Sequence, residues 1–196
     1  MFKITIPKFY ENFRNITVRR CVIWNDWGRC LEIGAETRAE EITDVLFEDC
    51  DVIHAMHDVL DVQNVDYADV HGITYRNIRV ELDEVIPEPK IQRADSEKYE
   101  CLREDYTPNV ISSVVKYHYE YSAGGERRGR NRDILFEDIF VYGNHKPRLS
   151  FVGYNSEYKS SDITVKGLYF NGKRIENASE YELSQNEFCE NIKITE

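Results

Sequence analysis

The chain has few of the features that announce catalytic machinery, a membrane or a redox framework. No apolar run approaches the roughly 20 residues of a membrane-spanning helix. The opening stretch MFKITIPKFYENF lacks an apolar segment long enough for the core of a signal peptide. The five cysteines (Cys21, Cys30, Cys50, Cys101 and Cys189) are odd in number and show no C-x-x-C spacing. Zinc clusters and a disulfide framework are therefore not expected, and the thiols are read as buried and free. There is no G-x-S-x-G, no phosphate-binding loop, no dinucleotide fingerprint and no H-E-x-x-H, so no nucleotide cofactor or zinc hydrolase is indicated. Positive charge is in deficit: 25 Lys and Arg against 36 Asp and Glu, a net charge of −11. That balance disfavours nucleic acid and anionic membrane as partners, and polyanionic polysaccharides less strongly.

What the chain does have is repetition. At 196 residues and 41% hydrophobic it is long enough to bury one substantial core, and 1–196 reads as a single domain. The phrases ITVRRCVIW, ITDVLFEDCDVIH, ITYRNIRVEL and ILFEDIFVY align on Ile16, Val45, Ile73 and Ile134, and the register continues to Ile163 and Ile192. The steps are 29, 28, 61, 29 and 29 residues. A fixed period of this size marks a stacked-repeat architecture. Within each repeat the pattern alternates apolar and polar and is rich in Val, Ile, Phe and Tyr, which is strand patterning. A second buried position follows five residues on (Cys21, Cys50, Ile78, Ile139, Leu168), and a third strand is marked by Leu31, Leu60 and Leu149. Three short strands per repeat predict an all-β, parallel β-helix of about five to six coils, with like residues stacked in ladders. Asp49, Asn77 and Asp138 share one corner, where Asx side chains satisfy turn backbone.

The long step is attributed to an insertion within 82–132. Its first part, through DEVIPEPKIQRADSEKYECLREDYTPN, is polar, proline-bearing and expected to be an excursion loop. VISSVVKYHYEYS is expected to supply the third strand of the third repeat, and the basic run AGGERRGRN a solvated turn. Residues 1–13 are the expected N-terminal cap, because an uncovered strand edge of a solenoid needs a cover or a partner.

Candidate chemistry gathers at one corner. In CLEIG and VLDVQ the aliphatic residues point inward, so Glu32 and Asp61 point outward one rung apart. They are expected to sit on an open sheet face at about the 5 Å carboxylate spacing of retaining glycosidases. WNDWGR places Trp24, Asp26, Trp27 and Arg29 just before Glu32, and HAMHD places His54, His57 and Asp58 at the same corner of the next repeat. Exposed tryptophans offer stacking faces for sugar rings, while carboxylates, Arg and His offer hydroxyl partners. His54, His57 and Asp58 have metal-ligand chemistry but no ligand spacing. The corner acids likewise offer oxygen ligands for Ca²⁺ without a supporting pattern, so no metal and no cofactor is expected.

The run NITVRRCVIWNDWGRCLEIGAET, with ITDVLFEDCDVIH after it, resembles the later coils of right-handed parallel β-helix proteins of the pectin-lyase-like group. It is most similar to polygalacturonase-type glycoside hydrolases of family 28, and GLYFNGKRI with NEFCENIKI resembles their closing coil. The family's Gly-His-Gly stretch falls on Gly28-Arg29-Cys30 and its Arg-x-Lys on Asp61-Val62-Gln63, so neither motif is kept. The resemblance therefore implies the fold more than the activity, and a secreted setting within a larger bacterial protein. Non-catalytic β-helices of this group occur as modules attached to glycosidases. The expected function is a carbohydrate-binding module for a xylan-like or other neutral or weakly charged plant polysaccharide. Its contact residues are Trp24, Asp26, Trp27, Arg29, Glu32, His57, Asp58 and Asp61, and its second partner would be a glycosidase module of the same protein. The alternatives are a glycoside hydrolase using Glu32 and Asp61, and a structural scaffold that oligomerises through its open ends.

Overall fold

A computed structural model describes the backbone of residues 2–6 together with residues 11–25, 28–82, 106–119, 121–122 and 127–195. The excursion segment 83–105, and Asp26 and Trp27, lie outside the described residues. The chain begins with strand β1 (Phe2–Ile6) and continues in groups set by the repeat. The first group is β2 (Ile16–Arg19), β3 (Val22–Trp24) and β4 (Leu31–Thr37). The second is β5 (Glu41–Glu48), β6 (Asp51–Ala55) and β7 (Leu60–Asn64). A long β8 (Asp69–Leu82) and β9 (Asn109–Val115) follow; of the described residues in the expected strand 110–122, only the part through Val115 is extended in the sheet. β10 (Arg130–Asn131), β11 (Ile134–Tyr142) and β12 (Arg148–Val152) follow, then β13 (Ser160–Phe170), β14 (Lys173–Arg174), β15 (Glu182–Gln185) and β16 (Cys189–Thr195). Among the described residues the only helix is a single 3₁₀ turn at Ala178–Glu180.

The fold is all-β, and its two sheets are parallel. One sheet has six strands in the order β1-β4-β7-β9-β12-β15; the other runs β10-β13-β11-β8-β5-β2, with β3 and β6 paired beside it. The short β13–β14 hairpin is the antiparallel exception among the described pairs. Register follows the repeat. Ile16 pairs with Val45, Val45 with Ile73, Ile73 with Ile134, Ile134 with Ile163, and Ile163 with Ile192. In the six-stranded sheet Leu31, Leu60, Ile111, Leu149 and Leu183 form one ladder. β1 lies along β4, Phe2 against Leu31, and so occupies the edge at that end of the sheet.

The core lies along these ladders. Cys50, Ile78, Ile139, Val45, Ile73 and Val165 are buried, and Phe47, Tyr75 and Phe136 stack ring on ring at 4.7 and 5.0 Å. Such offset aromatic pairs add about 0.5–1.5 kcal/mol beyond the area they bury. The core also carries a polar line: Asn64, Asn131, Ser113 and Ser160 are buried and bonded to one another or to backbone carbonyls. The basic run departs from expectation. Arg128 and Asn131 are buried, and Arg130–Asn131 pairs with β8 and β13 instead of forming a solvated turn.

Candidate functional site

The corner before β4 is built by backbone requirements first. Asn25 is buried; its Nδ2 donates to the Gly28 carbonyl at 2.9 Å and its Oδ1 accepts from the Met56 N–H at 3.2 Å. This ties the turn leading to Arg29 to the corresponding turn of the next repeat. Within β4, Gly34 has φ +117°, and a Cβ there would lie 1.9 Å from the Gln63 carbonyl oxygen, so only glycine allows the β4–β7 approach.

Glu32 and Asp61 are direct register partners across β4 and β7, as the sequence pattern requires. They are not on an open face. β4, β7 and β9 are buried almost throughout, and Glu32 and Asp61 are only 2% and 1% exposed. Burying carboxylates demands a counter-charge, and Arg29 supplies it. Its Nε is 2.7 Å from Asp61 Oδ2, 3.5 Å from Asp58 Oδ2 and 3.9 Å from Glu32 Oε1. The shortest approach is an ion pair by distance and not an aligned hydrogen bond, since the N–H is not directed at the oxygen.

Other groups complete the cluster. Asp58 Oδ1 accepts from the Asn109 N–H at 3.2 Å and from Asn109 Nδ2 at 2.9 Å. Asp61 accepts from Gln63 Nε2 at 3.4 Å and from the Ser112 hydroxyl. Beneath the strands the Tyr75 hydroxyl lies 3.3 Å from the carbonyl oxygens of Leu31 and Asp61, and burial pushes its ionisation well up. His57 Nδ1 accepts from the Asp58 N–H at 2.6 Å, which requires an unprotonated Nδ1.

The electrostatics follow. Burial, reinforced by Asp58 and opposed by Arg29, raises the Asp61 pKa to about 6. Burial lowers His57 to about 4; Asp58 opposes that shift, while Arg29 and Lys116 add to it. Burial beside Arg29 also lowers Lys116. Asp61 can thus hold its proton up to about pH 6, beside the carboxyl groups of Asp58 and Glu32 that share Arg29.

Of the expected contact residues, Arg29, Glu32, His57, Asp58 and Asp61 come together. Trp24 does not join the buried cluster; it ends β3 with 63% exposure and stacks on His54 of the next repeat, ring centroids 4.7 Å apart and planes 19° apart. Ser112, Lys116 and Asn109 escaped the sequence reading. Ser112 holds the outward position of Glu32 and Asp61 on the next strand, but the insertion moves it 51 residues from Asp61 instead of about 29. Among the described residues no group of His, Cys, Asp and Glu is arranged to hold a metal ion. Comparisons with protein-family models, with curated proteins and with solved structures returned no match.

Proposed function

We propose that the two sheets are faces of a right-handed parallel β-helix that binds a neutral or weakly charged polysaccharide, such as a xylan, without cleaving it. The 28–29-residue step that recurs in the larger sheet, and between β1, β4 and β7 in the other, supports the helix, and parallel crossovers are right-handed in about 98% of cases. On this reading the chain's partner is a glycan, with a glycosidase module of the same protein as the second. The observation that carries the binding role is the exposed Trp24 braced on His54. An indole held in place by a second ring offers a flat apolar face at little ordering cost, which suits the C–H face of a sugar. The buried Arg29 cluster then acts as the support of this corner, its acids being too enclosed to meet a polymer.

Glycoside hydrolysis is the second reading, favoured by one observation: Asp61, with its pKa near 6, is the rung neighbour of Glu32. A polysaccharide panel separates the two, scored for retention in affinity gels and for release of reducing ends. Binding without cleavage predicts retention and no release. Trp24→Ala should weaken retention by roughly 1–3 kcal/mol with the melting temperature unchanged, and Asp61→Asn, at an enclosed position, should leave retention nearly unaltered. Release that disappears in Asp61→Asn would establish the hydrolase instead, and unaltered retention in Trp24→Ala would remove this face from the ligand.

A further inference from the structure

A second polar feature lies away from the Trp24 corner, at the bends that lead into β5, β8, β10 and β13. These bends are stacked in register: Glu41 pairs with Asp69, Asp69 with Arg130, and Asn131 with Ser160. Together they line an open groove of about 330 Å³, within the range of small-molecule sites, about 300–1,000 Å³. Four stacked bends at about 4.8 Å per rung make it roughly 14 Å long. That shape suits an extended ligand lying along the stacking direction.

The walls are aromatic and hydrogen-bonding at once. Tyr67 and Tyr158 line the groove, and the Arg127 guanidinium lies 4.8 Å over the Tyr67 ring. Glu40 grips the same guanidinium through Nη2 at 2.8 Å and Nη1 at 3.4 Å. Both the ring and its polar edge are thereby oriented in advance, which lowers the ordering cost of binding. The floor is rigid. Arg128 is buried with Nη1 2.7 Å from the Val65 carbonyl oxygen, and a Cβ on Gly129 would stand 2.0 Å from the Ala68 carbonyl oxygen.

Charge decides the ligand class. Among the described lining residues Arg127, Arg128 and Arg130 stand beside Glu40, Asp69 and Glu157, three charges of each sign, and Asp69 is itself held by Arg132. An anion would meet carboxylates and a cation would meet guanidinium groups, whereas a neutral polyhydroxyl chain can use acceptors and donors together. We infer that this groove is a second glycan site, taking an extended neutral oligosaccharide along the stacked bends. It shares the ligand class proposed for the Trp24 face but none of its residues.

The test is titration calorimetry of the full chain with xylohexaose, cellohexaose, mannohexaose and, as the anionic comparison, hexagalacturonate. For at least one neutral hexasaccharide, Tyr158→Ala and Arg127→Ala should each lower the association constant tenfold or more, with melting temperatures unchanged. Arg127→Lys should lose nearly as much, because an ammonium cannot reproduce the fork. Binding lost in these variants but kept in Trp24→Ala would uphold the groove while overturning the Trp24 face. Wild-type affinity for every neutral probe in all three groove variants would overturn the groove, as would loss confined to hexagalacturonate or no binding by the wild-type chain.

Discussion

Asp61 and His57 belong to one cluster yet depart from their ordinary pKa values in opposite directions, and stability should register both. Between about pH 4 and 6 the folded protein keeps a proton on Asp61 that the unfolded chain, with a value of 3.8, has lost. The Asp61 contribution is therefore full below 3.8 and is lost as pH rises through 6. Through much of the same window the folded protein has shed a proton from His57 that the unfolded chain, with a value of 6.5, retains. The His57 contribution rises with pH from about 4 to 6.5, so in the wild-type chain the two slopes oppose each other. Urea unfolding at pH 4, 5, 6 and 7 should show Asp61→Asn gaining stability with pH relative to wild type. His57→Gln should lose it, each by an amount on the order of a kcal/mol or more, since one pKa unit is about 1.4 kcal/mol. Parallel pH profiles for all three proteins would mean that the cluster is not buried as described.

The strands owe their spacing to bends, and the bends owe theirs to residues in the left-handed region. Each register position is preceded by one: Asn15, Asp44, Gly72, Asp133, Asp162 and Asn191, with φ between 52° and 62°. A second series, Arg20, Asp49, Asn77, Asp138 and Gly167, precedes the second buried position of each repeat. Asn, Asp and Gly tolerate this conformation, while branched side chains do so poorly. Asp133 is exposed, so its effect on stability should be conformational. Asp133→Val should lower stability by roughly 1–2 kcal/mol and Asp133→Gly by much less, as measured by thermal melts of the two variants. Equal losses would show that the bend does not depend on φ. Between bends, the ladders demand apolar side chains. Cys50 is fully buried between the first and third repeats, and an unpaired carboxylate there would cost several kcal/mol at least. Cys50→Asp should therefore be insoluble or should lack a cooperative melt, and a normal melt would contradict the register.

Across the whole molecule, stacking makes protection a matter of position. Each strand is held by the strands before and after it in the ladder, so the middle is braced on both sides and the last rung on one. β7 is buried throughout and β8 along one face, whereas β15 is exposed throughout and β16 is nowhere fully buried. Among the described strands, amide hydrogen exchange followed by mass spectrometry should be slowest in 42–80 and fastest in 182–195. Uniform protection from end to end would show that the chain opens as one unit.

The period, the inward positions and the rung-to-rung pairing of Glu32 with Asp61 follow from the order of residues. A side chain that alternates with period two has only one face on which to hide, and like residues at a fixed step must meet. Of the left-handed bends only the Asp49, Asn77 and Asp138 corner was legible as a pattern; the Asx and Gly series before each register residue is identified by its φ values. Tertiary structure alone decided exposure. Alternation says that Glu32 and Asp61 leave the inner core but not whether their outer face meets water. Arg29 can be drawn onto both acids only once two turns, 29 residues apart, are stacked. The same holds for the basic run, where Arg127 meets Glu40 and Arg128 meets Val65 across 87 and 63 residues of chain. Such contacts join bends that share no local pattern, and their energy exists only after the ladders have brought those bends together.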